Sequence, residues 1–257
     1  MLIPVKSYQE VARSVNAILL QGGPTNGLPD REILEREIAK GTLFLLEESR
    51  GVILIRRREH WDYLTFFLKK GQALRGWKPE RNTLAELPFR RETDPIGEVV
   101  ESLEAMGFQQ ILKRLRYTRK GQEDTAFPEK PPAGVEESYG LLCSSFSALT
   151  GCLPRREEWE ALCNAGQVLS VRGGLLHYDR KGKTSEIRHL AVAEECRRQG
   201  IGRALVGAYL NRCGTGLSRV WTGEDNGTAQ RLYESFGYEK DGWTSRVYYF
   251  DRNKKEE

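Results

Sequence analysis

The stretch VAEECRRQGIGRALVGAYL, residues 192–210, sets two arginines and then two glycines, one residue apart, directly before an amphipathic helical pattern. Successive N–H groups of a glycine-containing turn converge on one point. The first turn of the following helix adds unpaired donors and a positive dipole end. The anion best suited to such a loop is a phosphate or pyrophosphate. Gly200 and Gly202 have no side chain to block its approach, and Arg197, Arg198 and Arg203 supply formal charge around it. A Walker loop would need Lys-Ser/Thr after the second glycine, where Arg203 and Ala204 stand. A dinucleotide fingerprint would need a third small residue at Leu205.

Outward from the loop, the chain repeats itself faintly. LPDREILEREIAKGTLFLL from residue 28 recurs as LPRREEWEALCNAGQVLSV from residue 153, aligning Leu28, Pro29, Glu32 and Gly41 with Leu153, Pro154, Glu157 and Gly166. VVESLEAMGFQQILKRLRYTR from residue 99 matches AQRLYESFGYEKDGWTSRVYY from residue 229, and both helices stop at Gly-aromatic, Gly107–Phe108 and Gly237–Tyr238. A polar, proline-rich stretch, GQEDTAFPEKPPAG, separates the copies and reads as a linker. The expected domains are therefore residues 1–122 and 135–257, joined by 123–134. Each copy shows a helix pair, then strands, then a strand–helix–strand unit. That order predicts an α/β (α+β) fold with a mixed, mostly antiparallel sheet flanked by helices.

Composition limits the function. The 257 residues suffice for one large or two ordinary cores, and 39% hydrophobic with 30% charged residues describes a soluble globular protein. A net charge of +4 is too small to argue for nucleic acid as a partner. No apolar run reaches membrane-spanning length, and the N-terminal MLIPVKSYQEVARSV lacks the apolar core of a secretion signal. The five cysteines form no CxxC and read as free thiols in a reducing cytoplasm. No metal site is expected.

The pattern Arg/Gln-x-x-Gly-x-Gly/Ala, met by Arg197, Gly200 and Gly202, resembles the pyrophosphate loop of the GNAT superfamily of acyl-CoA-dependent N-acyltransferases. EIRHLAVAEECRRQGIGRALV looks like that family's fourth strand, loop and third helix in one run, and NGTAQRLYESFGY is similar to its later Asn…Tyr helix. The resemblance implies two tandem GNAT-like domains, the second binding acetyl-CoA as cosubstrate and acetylating a primary amine of a small molecule or peptide by direct attack. It places the pantetheine arm on the backbone of Leu190, Ala191 and Val192. The pyrophosphate falls on Arg197, Arg198, Gln199, Gly200, Ile201, Gly202 and Arg203, with a further cofactor contact at Asn226. Tyr233 matches the family's general acid, although its place on an apolar stripe with Ala229, Leu232 and Phe236 also suits plain core packing. Glu186, His189 or a water would act as base. The first half lacks the loop: after YLTFFLKKGQ stands ALRGWKPERNTLAELPF, and Ile96 aligns with Asn226, so residues 1–122 read as a degenerate copy. A non-catalytic acyl-CoA sensor is the competing expectation, and a monomer or homodimer is expected.

Overall fold

The structure, a computed structural model, describes residues 2–74, 77–90, 97–121, 133–213 and 216–254. Most of the expected linker and Ile96 lie outside the described residues.

The chain packs as two compact units, Met1–Lys113 with Gly242–Glu257, and Arg114–Asp241. In the first unit, β1 (Ile3–Pro4) is followed by α1 (Tyr8–Leu19) and α2 (Arg31–Ala39), then β2 (Leu43–Glu48), β3 (Gly51–Arg57), β4 (Asp62–Leu68), β5 (Thr83–Phe89) and α3 (Gly97–Ala105). The strand β6 (Gln109–Lys120) carries the chain into the second unit. There α4 (Val135–Ser145) and α5 (Arg156–Asn164) lead to β7 (Val168–Val171), β8 (Gly174–Lys181) and β9 (Thr184–Val192). A short 3-10 turn at Glu194–Cys196 precedes α6 (Ile201–Cys213), β10 (Leu217–Gly223), α7 (Gly227–Glu234) and β11 (Glu239–Phe250). Both units are mixed sheets flanked by helices, as the sequence leads one to expect.

The helices form where apolar residues recur at helical spacing. Val11, Val15 and Ile18 put one face of α1 into the core, and Asp30 caps α2 by accepting from Ile33 N at 3.2 Å. In the first unit Val52 and Leu54 of β3 pack with the α1–α2 side, while Ile53 and Ile55 pack with Val99 and Leu103 of α3. A strand covered on both faces has to be apolar at consecutive positions, which explains the run VILI. In the second unit Leu142, Trp159, Leu175 and Ala191 fill the α4–α5 side, and Leu176, Ile187, Val220, Tyr209 and Tyr233 fill the α6–α7 side.

The repeated glycines confirm the duplication at backbone level. Gly41, Gly166, Gly107 and Gly237 all have φ between 66° and 90°. After each, the next residue's N–H reaches back five residues to a helix carbonyl: Thr42 to Glu37, Gln167 to Leu162, Phe108 to Leu103 and Tyr238 to Tyr233. This is the Schellman stop, used at matching places in both halves.

The sheet topology is also duplicated, with one departure from the domain limits read in the sequence. In the first unit β1 to β4 pair antiparallel, β4 and β5 pair parallel, and β5 pairs antiparallel with Thr244–Phe250 of β11. In the second, β7 to β9 pair antiparallel, β9 and β10 pair parallel, and β10 pairs antiparallel with Arg114–Lys120 of β6. Each unit thus takes its last strand from the other half of the sequence. Sequential order assigned those strands to the copies they follow. Hydrophobic alternation fixes which face of a strand is buried but not which neighbour it joins.

Candidate functional site

The parallel pair in the second unit is short. Thr184–Ile187 of β9 pair with Leu217–Val220 of β10, and there the ladder ends, although β9 runs on to Val192 and β10 to Gly223. The outer edge of β10 stays paired with β6 as far as Gly223, opposite Arg114. The strands therefore form a fork, with the edge of β9 from Arg188 to Val192 left without a strand partner. A bulge helps to open it. The β8–β9 register passes from His177↔His189 to Tyr178↔Ile187, so Arg188 has no opposite residue and β9 bends. The closed end is pinned by the Tyr209 hydroxyl, hydrogen-bonded at 2.6 Å to both Ser185 and Ser218, register partners on the two strands.

The loop after β9 supplies the donors expected of it. Its first part is held by Ala193 N to Gly173 O (2.9 Å), Cys196 N to Ala193 O (2.9 Å) and Arg197 N to Glu194 O (3.2 Å). Arg198 and Gly200 then adopt left-handed φ of 59° and 76°. The next bond is Ala204 N to Gly200 O, so among the described residues the N–H groups of Arg198, Gln199, Gly200, Ile201, Gly202 and Arg203 have no protein acceptor. Residues 197–200 are exposed, and Ile201 anchors the helix start in the core. A Cβ on Gly202 would meet Leu232 at 3.5 Å and Val192 at 3.7 Å, ordinary contact distances. Packing in the protein alone does not demand glycine there; a ligand approaching the backbone would. The side chains turn aside from the donors: Arg197 Nε donates to Val192 O (3.3 Å), Gln199 Nε2 to Glu195 O (3.1 Å) and Arg203 Nη1 to Ser235 Oγ (3.1 Å).

The residues singled out for chemistry divide between the two faces of the fork. Tyr233 lies in the α6–α7 core with Leu190 and Val192 packed against the same cluster. It is 4% exposed, and burial, with Tyr209 nearby, pushes its phenol well above the ordinary range, so it is neutral. Asn226 caps α7, its Oδ1 accepting from Ala229 N at 3.0 Å. Glu186 faces the α4–α5 side, since its neighbour Ile187 faces the other. Its carboxylate accepts from Arg188 Nη1 at 2.6 Å, and Arg188 Nε lies 3.5 Å from Asp179.

His189 is on that α4–α5 side too, but it is enclosed. Its Nε2 is 2.6 Å from the Gly151 carbonyl and its Nδ1 is 3.0 Å from Nδ1 of His177, the rings stacked and edged by Phe146 and Trp159. A carbonyl only accepts, so Nε2 of His189 carries the proton and Nδ1 of the neutral ring must accept from His177. Both nitrogens of His189 are thereby engaged. His177 Nε2 is left as a buried lone pair without a hydrogen bond, 3.7 Å from Asp179. Burial and the neighbouring His189 hold His177 down to about 3, and burial also lowers His189.

The same edge in the first unit is covered. β4 and β5 pair only over Asp62–Leu64 and Thr83–Ala85, and beyond that point the α1–α2 connection lies along β4. Asn26 Nδ2 donates to Leu64 O (2.9 Å), Phe66 N donates to Asn26 Oδ1 (2.7 Å), Thr25 Oγ1 donates to Phe66 O (2.8 Å) and Leu68 N donates to Pro24 O (2.8 Å). One side-chain amide thus imitates a strand. No helix stands between β4 and β5 among the described residues, so there is no counterpart of α6 or of its donors. Nothing in the sequence marks Asn26 for this role; QGGPTNGLP reads only as a turn.

A strand fork thus lies beside a helix N-terminus with six N–H groups that lack a protein acceptor among the described residues. Residues 158–240 match the family model described as acetyltransferase (GNAT) domain. The whole chain is similar to a tandem GNAT protein from the clavulanic acid biosynthesis pathway, at 11% identity over 100% of this chain and 99% of that one, with a TM-score of 0.59. It is similar also to a GCN5-related N-acetyltransferase from Sphaerobacter thermophilus (13% identity, 96% and 95% covered, TM-score 0.56) and to a GNAT-family acetyltransferase from Colwellia psychrerythraea (11%, 97% and 98%, 0.54). No curated protein sequence matches significantly. The chain therefore has the tandem GNAT fold, and its residues 158–240 match the domain model of a family of acyltransferases. No helix among the described residues is long and apolar enough to cross a membrane.

Proposed function

We propose that the second unit transfers an acetyl group from acetyl-CoA to a primary amine of a small molecule or peptide. The observation that carries this reading is the coincidence of the unpartnered β9 edge with the unsatisfied N–H groups of Arg198 to Arg203. The edge suits an amide-bearing arm laid alongside as a further strand, and the N–H groups suit a pyrophosphate. Leu190, Ala191 and Val192 then hold the arm. Arg197, Arg198 and Arg203 add charge at the loop, and Asn226 stands at the start of α7.

In this reading the amine nitrogen bonds to the acyl carbon as the C–S bond breaks, and the electron pair of that bond leaves with sulfur. Tyr233, held neutral by burial, gives its hydroxyl proton to the departing thiolate. Glu186, on the opposite face of the fork, takes the proton lost by the amine, directly or through water. His189 is set aside as base because both ring nitrogens are engaged. The first unit does not take acyl-CoA along β4, whose edge Pro24–Asn26 occupies.

The test is thiol release from acetyl-CoA with an amine panel, beside calorimetry of acetyl-CoA binding. Tyr233→Phe should cut turnover by about 10²-fold with little change in acetyl-CoA affinity. Binding without thiol release for any amine would replace the enzyme with a sensor. Wild-type turnover in Tyr233→Phe would return that tyrosine to the core.

A further inference from the structure

Arg219 sits on β10 at the closed end of the fork, in register with Glu186 on β9 and Thr118 on β6. Its neighbours Ser218 and Val220 face the α6–α7 side, so Arg219 shares the other face with Glu186. The two do not pair. Glu186 turns to Arg188, and Arg219 Nε is buried without any hydrogen-bond partner.

The other arginines of this face are engaged. Arg114 donates to Thr150 O at 2.6 Å, Arg116 pairs with Asp241 at 2.7 Å and stacks over Trp221, and Arg188 joins Glu186 and Asp179. Among the described residues, then, this guanidinium is without an acceptor, on a strand whose backbone runs one strand spacing, about 4.8 Å, from that of Glu186, the residue assigned as base. A guanidinium is always charged and its fork fits a carboxylate in bidentate fashion. A single free guanidinium balances a singly charged group.

We propose that the acceptor is an α-amino acid, whose amine meets Glu186 while its carboxylate, two bonds away, meets Arg219. The proposal rests on the transfer reading above and adds the acceptor's chemical class. A neutral amine would leave the guanidinium without an acceptor, and a peptide N-terminus would carry its carboxylate too far away.

The experiment uses the full chain with acetyl-CoA and the twenty amino acids, each beside its amide and its decarboxylated amine. At least one amino acid should exceed its amide and amine in kcat/KM by tenfold or more. In Arg219→Gln that ratio should collapse toward one while acetyl-CoA affinity persists. Equal or better turnover of amides and decarboxylated amines across the panel would overturn the proposal and leave acyl transfer standing. So would a variant that slows acid and amide alike. Acetyl-CoA binding without turnover of any amine would instead remove the transfer reading, and this inference with it. The comparison of acid with amide needs no variant, so it decides the matter even if Arg219→Gln does not fold.

Discussion

Asn26→Ala is the perturbation whose cost can be worked most directly from the structure. Asn26 is 5% exposed and holds two backbone groups of β4, the Leu64 carbonyl at 2.9 Å and the Phe66 N–H at 2.7 Å, in residues that are themselves buried. Removing its amide leaves a buried acceptor and a buried donor unpaired, each costing about 1–3 kcal/mol. The variant no longer desolvates an amide, which offsets part of this, so the net loss should be about 2–4 kcal/mol. At about 4 °C per kcal/mol for a domain of this size, the first unit's thermal transition should fall by about 8–16 °C. Differential scanning calorimetry of the full chain reads that shift. Asn26→Asp is a second probe. It retains an acceptor for Phe66 N but sets a carboxylate oxygen against Leu64 O, so it should also destabilise. A loss below about 1 kcal/mol in both variants would mean that water or a rearranged loop satisfies the β4 edge, and the strand-mimic argument would fail.

Two further outcomes are expected. Gly202→Val should weaken acetyl-CoA binding at least tenfold, about 1.4 kcal/mol, with the far-UV circular dichroism retained, since its Cβ meets only ordinary contacts; an unchanged calorimetric Kd would contradict a backbone approach at this position. The buried histidine pair should make the protein lose stability as pH falls below the ordinary histidine value of 6.5, because the unfolded chain takes up protons that the folded pair refuses until His177 titrates near 3. For His177 the slope is about 1.4 kcal/mol per pH unit between those two values. Denaturant melts at pH 7.5 and 5 on the wild type and His177→Gln check this, and the same pH dependence in both would rule His177 out as its source.

Much of the fold was legible because its signals are local. The helix-stop glycines at 41, 107, 166 and 237 announced the duplication, and a left-handed φ is a property of one residue and its neighbours. The donors of Arg198 to Arg203 were legible for the same reason. What the sequence withheld depends on distant pairing. His189 looked like a possible base until His177 and Gly151, neighbours only in space, were seen on its two nitrogens. The isolation of Arg219 shows only once Glu186 is seen turned toward Arg188. The turn at Pro24–Gly27 gave no hint that it docks forty residues away.

The exchange of last strands bears on how such a chain can evolve. Arg114–Lys120 complete the second unit's sheet and Thr244–Phe250 the first's, so neither half of the gene encodes a closed sheet. The β4 edge of the first unit can be capped by Asn26 without loss to the second, yet residues 114–120 cannot be lost without baring the outer edge of β10. A gene split in the stretch between the copies would yield two products, each with an unpaired edge strand and a stray last strand suited to the other. Strand exchange thus works as a ratchet: each half of the sequence is held as scaffold for the other, whatever either half binds.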